Sequence, residues 1–336
     1  MPRVSIILPA YNAEFFLFDA IQSVLNQTYR EFVLIVINDG STDSTVDIIN
    51  QFKDSRILFI NNEKNQGLIK SLNIGLEKSE YEYVARMDAD DILVNDWLEK
   101  QIHFLETNPD YIISSSSRLV FVDNDLESVK LFKVPTTNEM IRVLSIFNSP
   151  FSHPSIVFRN KVIQEKGIRY EEEFKYCEDY KFWIEVLKYG KGHNFYKPLI
   201  YYRITKNSQT SIGVSFNEQR KKNILSIQRE ACKSEGILLP IKYDDILYAF
   251  SLTENLYKLN LDLNKPTDVL SFLEIIYKGF LKKGYSKSVK IILGKQYLKL
   301  LYVLFRRTEF RFLLKVVHPL FLYCAMIYLF KGYGKN

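Results

Sequence analysis

The sequence predicts an α/β fold in which a mostly parallel sheet is flanked by helices. Short apolar runs, which are typical of buried strands, alternate with segments whose apolar residues recur at helical spacing. This alternation favours parallel strands, because each helix returns the chain to the same end of the sheet. Polar residues follow several of the strands, and in such a sheet they would meet at one edge, where ligands bind.

The strands and helices of the first part can be placed directly on the sequence. The predicted strands are Val4–Leu8, which Pro9 ends, Phe32–Ile37, Ile57–Ile60 and Tyr83–Met87. The intervening helices are marked by Phe18, Ile21, Val24 and Leu25, by Val46, Ile48, Ile49 and Phe52, and by Ile69, Leu72 and Leu76. A further helix is predicted to start near Asp96. The unit of strand, loop and helix is therefore repeated.

Composition indicates a globular protein in a reducing compartment. With 336 residues, 47% of them hydrophobic, the chain can bury one sizeable core and still form a second subdomain. The three cysteines, Cys177, Cys232 and Cys324, have no close spacing, so they provide neither a zinc motif nor an even disulfide framework. No signal peptide is visible before the first strand, so we expect the catalytic part to be cytoplasmic.

Three carboxylates, Asp88, Asp90 and Asp91, directly follow the fourth predicted strand. Carboxylates grouped at this edge suit a hard divalent cation such as Mg²⁺ or Mn²⁺, with substrate phosphates completing its coordination shell. The same residues could instead begin a loop and cap the next helix. The Asp-x-Asp spacing alone does not separate these two interpretations.

Tyr11 and Asp39 follow the first and second strands, at the same predicted edge. A carboxylate there can accept hydrogen bonds from a nucleobase or a ribose, and an aromatic ring can lie against a base. Asp39 could equally form a local turn with Gly40. The first strand is not followed by Gly-x-Gly-x-x-Gly or by a Gly-Lys-Ser/Thr loop, which argues against dinucleotide and P-loop sites.

Four motifs taken together resemble family 2 glycosyltransferases, in particular those that build bacterial surface polysaccharides. The motifs are Ser5-Ile6-Ile7-Leu8-Pro9-Ala10-Tyr11-Asn12, Asn38-Asp39-Gly40-Ser41-Thr42-Asp43, Asn65-Gln66-Gly67 and Met87-Asp88-Ala89-Asp90-Asp91. The resemblance extends over roughly residues 3–210. It implies a GT-A fold, inversion at the anomeric carbon and a nucleotide-sugar donor, which in most members is a UDP-sugar.

The resemblance also implies a donor site. The residues that would bind the nucleobase are Pro9, Ala10, Tyr11 and Asp39. Asp88 would lie near the ribose, and Asp90 would be the metal ligand. Arg86 could lie beside the base or the phosphates, or it could be an exposed strand-end residue in a salt bridge.

The acceptor half is expected further along the chain. The segment Phe174-Lys175-Tyr176-Cys177-Glu178-Asp179 resembles the family's Glu-Asp motif, in which the Asp serves as catalytic base. Direct displacement needs such a base on the face opposite to the leaving nucleotide, although Asp179 could also be an ordinary helix-start acid. His153 could contact the metal, the diphosphate or the acceptor, or be structural. Arg203 could close on phosphates from a flexible loop, or be a solvated strand end.

The C-terminal part is predicted to be helical and basic. Residues 278–315 contain eleven Lys or Arg and one acid, so the rest of the chain is acidic, because the whole carries +6. Interleaved Leu298, Leu301 and Leu304 favour an anionic membrane over nucleic acid as the partner. Residues 316–330 are fewer than the roughly 20 needed for a spanning helix, so we expect interfacial docking. These helices could instead pack on the protein or on a second subunit as a homo-oligomer.

These expectations define three ranges: 1–215 as a GT-A glycosyltransferase domain, 216–277 as a helical extension and 278–336 as membrane-docking helices. Such an enzyme would transfer one sugar to a glycan acceptor held on a lipid carrier, at the cytoplasmic face of the cell membrane. A sugar nucleotidyltransferase would need a Gly-rich phosphate loop where Pro9-Ala10-Tyr11 stands. A non-catalytic scaffold of the same fold that docks on membranes is the second alternative.

Overall fold

A computed structural model of the protein describes residues 3–123, 125–205, 218–258, 266–307 and 314–332, without the side chains of residues 126, 127, 253, 254 and 266. The expected boundary between residues 215 and 216 lies outside these ranges. The chain forms two compact units, Met1–Val134 with Phe151–Phe216, and Pro135–Pro150 with Asn217–Asn336. The segment 135–150, which was expected in the first range, thus belongs with the C-terminal part. The expected ranges 216–277 and 278–336 lie within a single unit.

Within the described residues, nine strands form one sheet in the first unit. They are β1 (Val4–Ala10), β2 (Phe32–Asn38), β3 (Ile57–Asn61), β4 (Tyr83–Arg86), β5 (Ile92–Leu93), β6 (Tyr111–Val122), β7 (Asp125–Phe132), β8 (Val157–Arg159) and β9 (Lys191–Ile204). Their order is β3-β2-β1-β4-β8-β6-β9-β5, and β7 pairs with β6. The four predicted strands are confirmed.

The sheet is mixed, so the expectation of a mostly parallel sheet is wrong beyond β4. Strands β3, β2, β1 and β4 are mutually parallel, as are β6 and β9. Strands β5, β7 and β8 run antiparallel to their neighbours. Two of these have no helical crossover before them, since β7 follows β6 as a hairpin and β5 follows β4 directly through the acidic loop.

Helices cover both faces of the sheet, as predicted. In the described ranges the α-helices are α1 (Leu17–Leu25), α2 (Thr45–Gln51), α3 (Leu68–Glu77), α4 (Trp97–Thr107), α5 (Asn138–Leu144), α6 (Asn160–Lys166), α7 (Glu178–Val186), α8 (Glu218–Ser234), α9 (Asp244–Ala249), α10 (Thr253–Lys258), α11 (Pro266–Lys282), α12 (Ser286–Arg306) and α13 (Pro319–Lys331). Ile6 of β1 shares a buried core with Ile21 of α1, whereas Ile7 lies against Gly75 of α3. Neighbouring strand residues point to opposite faces, so α1 and α3 lie on opposite sides.

β1 extends two residues beyond its predicted end, so Pro9 and Ala10 are strand residues and not loop residues. β4 pairs with β1 only as far as Ile7, whereas β2 remains paired up to Ala10. The nitrogen of Pro9 cannot donate a hydrogen bond, but it faces the side on which β4 is no longer paired with β1. The strand can therefore continue through Pro9. The Ala10 carbonyl accepts a 2.8 Å hydrogen bond from the N–H of Asp39.

The second unit is a helical assembly in which α12 is central. Leu304 is fully buried, so the expectation that Leu298, Leu301 and Leu304 together face a membrane is wrong. α13 crosses α12 so closely at Gly294 that a Cβ there would lie 2.1 Å from the carbonyl oxygen of Cys324. In the part of the chain that the structure describes, no helix is long and apolar enough to cross a membrane.

Candidate active site

Hydrogen bonds join the loops that follow β1 and β2. The N–H of Asn12 donates to Oγ of Ser41 at 2.9 Å, and Oδ1 of Asn12 accepts from the N–H of Thr42, also at 2.9 Å. Asn12 has a left-handed φ of 47°, a region that Asn enters more readily than most residues. Next to this junction the ring of Tyr11 is 49% exposed and accessible to a ligand.

Asp39 is buried at the same edge and holds the following loop. Its Oδ1 accepts from Nδ2 of Asn62 and from the N–H of Gln66, both at 3.0 Å, and Oδ2 accepts from the N–H of Gly67 at 2.8 Å. The Asp39 carboxylate therefore fixes the Asn65-Gln66-Gly67 motif. Its hydrogen bonds are made to this loop and not to a local turn with Gly40. A carboxylate has about four acceptor positions, so one remains for a ligand.

Asp88, Asp90 and Asp91 form an acidic cluster in the loop between β4 and β5. Each offers a carboxylate oxygen, and these oxygens lie within 4.8 Å of one another. Burial, and then the charge of Asp88, raise the pKa of Asp90 to about 7. Burial and the charges of Asp90 and Asp88 raise the pKa of Asp91 well above its usual range. Carboxylates this close disfavour one another's ionisation, and a cation bound among them would reverse that effect.

Two buried arginines hold the acidic cluster. Arg86 forms a two-pronged ion pair with Asp88, in which the Nη1–Oδ2 distance is 2.7 Å. Arg203 of β9 donates from Nε to the carbonyl of Asp90 and from its backbone N–H to Oδ1 of Asp91, both at 2.8 Å. Arg203 is therefore neither part of a flexible loop that closes on phosphates nor a solvated strand end. It is a buried strand residue that packs against two phenylalanine rings. Arg86 is likewise not an exposed residue.

The cluster fits a divalent cation. Both oxygens of Asp88 contact Arg86, but Oδ2 of Asp91 is buried without a hydrogen-bond partner. Among the described residues, no side chain donates a hydrogen bond to the carboxylate of Asp90. Oxygen ligands are what Mg²⁺ and Mn²⁺ prefer, so Asp90 and Asp91 are the residues that would hold such an ion.

α7 begins at Glu178 and carries Asp179 in its first turn, as expected. Asp179 is partly exposed, whereas Glu178 is buried and its Oε2 has no hydrogen-bond partner. Burial, and then the charge of Asp179, raise the pKa of Glu178 to about 7. Just before the helix, Tyr176 adopts a left-handed φ of 69°, a strained conformation of the kind found at functional sites.

The buried Tyr170 lies close to both acidic groups. Burial raises the pKa of its hydroxyl, Arg86 opposes this, and the charges of Asp179 and Asp88 raise it further. The hydroxyl is 3.1 Å from Nε2 of His153. Burial and Arg86 hold the pKa of His153 well below its usual range, so its imidazole is neutral at pH 7.

Arg118 of β6 is a member of this site that sequence reasoning missed. Burial lowers the pKa of its guanidinium, and the charges of Tyr202, Asp91 and Asp179 act against that shift. Arg118 therefore lies near both the acidic cluster and Asp179. The available signal was an arginine directly after four consecutive serines, Ser114-Ser115-Ser116-Ser117, and before the apolar run Leu119-Val120-Phe121.

Comparison with known proteins gives consistent results. The profile of glycosyl transferase family 2 matches residues 5–166. An uncharacterized glycosyltransferase of Haemophilus influenzae is 33% identical over 309 residues, which cover 89% of this chain and 87% of the relative. The UDP-Glc:alpha-D-GlcNAc-diphosphoundecaprenol beta-1,3-glucosyltransferase WfaP of Escherichia coli is 32% identical over 240 residues, covering 70% of this chain and 88% of WfaP.

Among solved structures, S. aureus TarS 1-349 in complex with UDP-GlcNAc is similar with a TM-score of 0.58. The alignment covers 98% of this chain and 89% of the TarS chain at 18% sequence identity, so it bears on the fold alone. The mixed sheet with flanking helices is thus the GT-A architecture implied by the sequence motifs. The profile match and the Haemophilus influenzae relative, which is matched over 87% of its length, show that the chain belongs to glycosyl transferase family 2.

Proposed function

We propose that the protein transfers one sugar from a UDP-sugar to a glycan acceptor, with inversion at the anomeric carbon. The observation that carries this proposal is the acidic cluster, in which carboxylate oxygens of Asp88, Asp90 and Asp91 lie within 4.8 Å of one another and Oδ2 of Asp91 has no hydrogen-bond partner. The cluster is suited to hold a diphosphate through a divalent cation. Asp179 is suited to deprotonate an acceptor, and its charge acts together with that of Asp88 on the pKa of the buried Tyr170. Direct displacement needs this combination.

The donor half is proposed to bind the nucleotide along the sheet edge. Tyr11 offers an exposed ring to the base, beside Pro9 and Ala10, and Asp39 has an acceptor position left for a base or ribose donor. Asp88, fixed by Arg86, would lie near the ribose. A divalent ion, Mn²⁺ or Mg²⁺, held by Asp90 and Asp91 would supply positive charge to the leaving diphosphate.

The acceptor half is proposed to centre on Asp179. The residue is accessible, and its position at the start of α7 lets the helix dipole favour the ionised form that a base needs. The neutral imidazole of His153, joined to Tyr170, would present a polar edge to the acceptor without adding charge. Glu178 shares the apolar surroundings of this turn but is buried, so it is not the base.

The acceptor is proposed to be a lipid-linked glycan in bacterial cell-surface polysaccharide synthesis. WfaP, whose acceptor is a sugar on diphosphoundecaprenol, supports this proposal. A membrane-bound acceptor also requires the enzyme to reach a membrane, which we propose it does at the cytoplasmic face. The helix α13 carries exposed Leu322, Tyr323, Met326, Leu329 and Phe330 at spacings of one helical face, and exposed lysines lie nearby in sequence.

Substitution of the proposed base tests the function. We expect Asp179→Asn to lower turnover of UDP-sugars by about a hundredfold or more while UDP affinity stays within a few fold, because the amide keeps the shape but cannot accept a proton. Asp110→Asn, an exposed acid of the same unit, is the matched control. Turnover would be followed by UDP release and affinity by titration calorimetry. Parallel loss of UDP affinity and turnover would instead make Asp179 a donor-site residue.

A further inference from the structure

We infer that Arg118 is an anion-binding residue of the acceptor site and takes a phosphate attached to the acceptor sugar. The inference rests on the proposed function and names the class of acceptor: a sugar carried on a phosphate ester with an apolar chain.

The guanidinium of Arg118 is fixed in place but is not neutralised by a partner. Its carbon lies 4.1 Å from the ring centre of Phe132 and 5.1 Å from that of Tyr202, and Nη1 donates to Oγ of Ser152 at 3.0 Å. Within the described residues, no carboxylate lies within ion-pair distance of Arg118. Its Nε is buried and has no hydrogen-bond acceptor.

The other arginines near the acidic cluster differ in this respect. Arg86 is paired with Asp88, and Arg203 donates to the backbone of the Asp90 loop. Both have a role in holding the protein's own acidic residues. Arg118 thus has donor groups that the protein itself leaves unused, in a partly buried position where an unsatisfied charge is unfavourable. A bound anion would satisfy them.

Arg118 lies where the donor and acceptor halves of the proposed site meet. The charges of Asp91, in the acidic cluster, and of Asp179, the proposed base, both act on Arg118, so a phosphate bound to this guanidinium would lie beside the hydroxyl that Asp179 is proposed to deprotonate. An arginine can bind a phosphate through two parallel hydrogen bonds, which would also orient the sugar that carries it.

The surroundings also suit an apolar chain next to that phosphate. Phe132 lies directly opposite Arg118 in the β6–β7 ladder, and its ring is 48% exposed. The neighbouring Lys133 lies over the ring of Tyr196, at 5.0 Å, and both of these side chains are exposed. A cation flanked by exposed aromatic rings matches a lipid phosphate better than a neutral glycan.

Decyl phosphate, used below its micelle concentration, tests the site without knowledge of the acceptor sugar. The probe is titrated into the full chain in the presence of saturating UDP and Mg²⁺, so that the donor site is filled. We expect Arg118→Gln to weaken decyl phosphate binding at least tenfold, as loss of charge-assisted hydrogen bonds implies. Arg118→Lys, which keeps the charge but not the fork, should give an intermediate loss and guards against a folding defect in the Gln variant.

Three controls separate the outcomes. UDP affinity should stay within twofold in both variants, decyl glucoside should bind both as it binds the wild type, and Arg56→Gln, at the opposite edge of the sheet, should change nothing. Equal binding of decyl phosphate by wild type and Arg118→Gln, or binding that saturating UDP abolishes, overturns the inference. A wild-type chain that fails to bind UDP counts against the proposed function, and the titration without UDP then still decides the role of Arg118.

Discussion

At the scale of single residues, the acidic cluster shows how neighbours with the same chemistry take different roles. Asp88 is paired with Arg86 and Asp91 is engaged on one side by β9, so Asp90 is the carboxylate with the fewest contacts to the protein. The sequence motif predicted three acids together. It could not show that Asp91 is engaged as well, because the N–H that donates to it belongs to Arg203, which lies more than a hundred residues away along the chain.

Metal binding should depend on Asp90. We expect Asp90→Ala to abolish sugar transfer and to make UDP binding insensitive to Mn²⁺, because the cation would lose its ligand beside the diphosphate. Titration calorimetry of UDP with and without Mn²⁺ measures this directly. Asp96→Ala, another acid that follows β4, is the control. Retention of a Mn²⁺-dependent gain in UDP affinity by Asp90→Ala would contradict the assignment.

Glu178 should give the protein a distinctive pH dependence of stability. Its pKa is about 7 in the folded chain and near 4.5 when unfolded, so its neutral form is favoured by folding. The stabilisation is complete below pH 4.5, declines as the pH rises and is lost above about pH 7. Gln cannot ionise, so the melting temperature of Glu178→Gln minus that of the wild type should increase between these limits.

The measurement is a series of thermal melts from pH 4.5 to pH 8, the window set by these two pKa values. The difference in melting temperature should change by several degrees across the window. A change of about 1 kcal/mol in the free energy of unfolding shifts the melting temperature of a unit of this size by about 2–4 °C. Glu165→Gln, an exposed position, is the control and should track the wild type. A pH-independent difference for Glu178→Gln would mean that the buried carboxyl finds compensation that the structure does not contain.

At the level of elements, β1 to β4 could be predicted within two residues at their ends because each is a mainly apolar run. β6 could not, since its centre is Ser114-Ser115-Ser116-Ser117, all fully buried. These serines are satisfied by distant partners, such as Oε1 of Gln101 for Ser114 and Oγ of Ser155 for Ser116. Local polarity therefore concealed a buried strand, and with it the position of Arg118.

The loops at the sheet edge are tied together at Gly40. Its φ is +67°, and a Cβ there would lie 2.4 Å from the backbone carbonyl carbon of Lys64. Gly40→Ala must therefore push apart the loops that Asp39 joins, and we expect a lower melting temperature and at least tenfold weaker UDP binding. Calorimetric melting and UDP titration measure the two effects.

Gly67 provides a matched comparison in the same network. Its φ is +93°, but nothing lies within 4 Å of a Cβ built there. Gly67→Ala should therefore cost only backbone strain, about 1–3 kcal/mol, and keep its hydrogen bond to Asp39. If the two variants lost stability and UDP affinity equally, close packing at Gly40 would not be the reason for its presence.

For the molecule as a whole, the second unit shows two features that local sequence patterns do not predict: which segments belong to the unit and which helix faces are buried. Residues 135–150 belong to this unit through long-range contacts. Arg142 contacts Glu235 at 2.9 Å, and Nδ2 of Asn148 donates to the carbonyl of Ser251 at 3.0 Å. The basic, apolar pattern of α12 predicted a membrane surface, yet most of its apolar residues form the interior of the unit. Periodicity shows that a helix has an apolar face, but not what covers that face.

The helix α13 has an exposed apolar face, and this face supports the membrane proposal. Met326, Leu329 and Phe330 are 51%, 67% and 78% exposed, while Phe321 and Cys324 are buried against the unit. Lys315 and Lys331, both exposed, lie at the two ends of this segment and suit anionic headgroups. A helix with this division can lie in the membrane interface without crossing it.

We therefore expect Met326→Glu/Leu329→Glu/Phe330→Glu to lower co-sedimentation with anionic vesicles at least tenfold. Each apolar side chain contributes about 1.5–3 kcal/mol when fully buried, and the added acids repel anionic lipid. The control is Leu238→Glu/Ile241→Glu, which changes two residues of the same unit that are 88% and 78% exposed. Melting temperature and UDP affinity should be unchanged in both variants.

High salt should weaken membrane binding of the wild type but not release it, because salt screens the charges and leaves the apolar contact intact. Co-sedimentation of the triple variant like the wild type would remove the membrane assignment. A wild-type dimer that the triple substitution makes monomeric would show that α13 joins two copies of the chain instead.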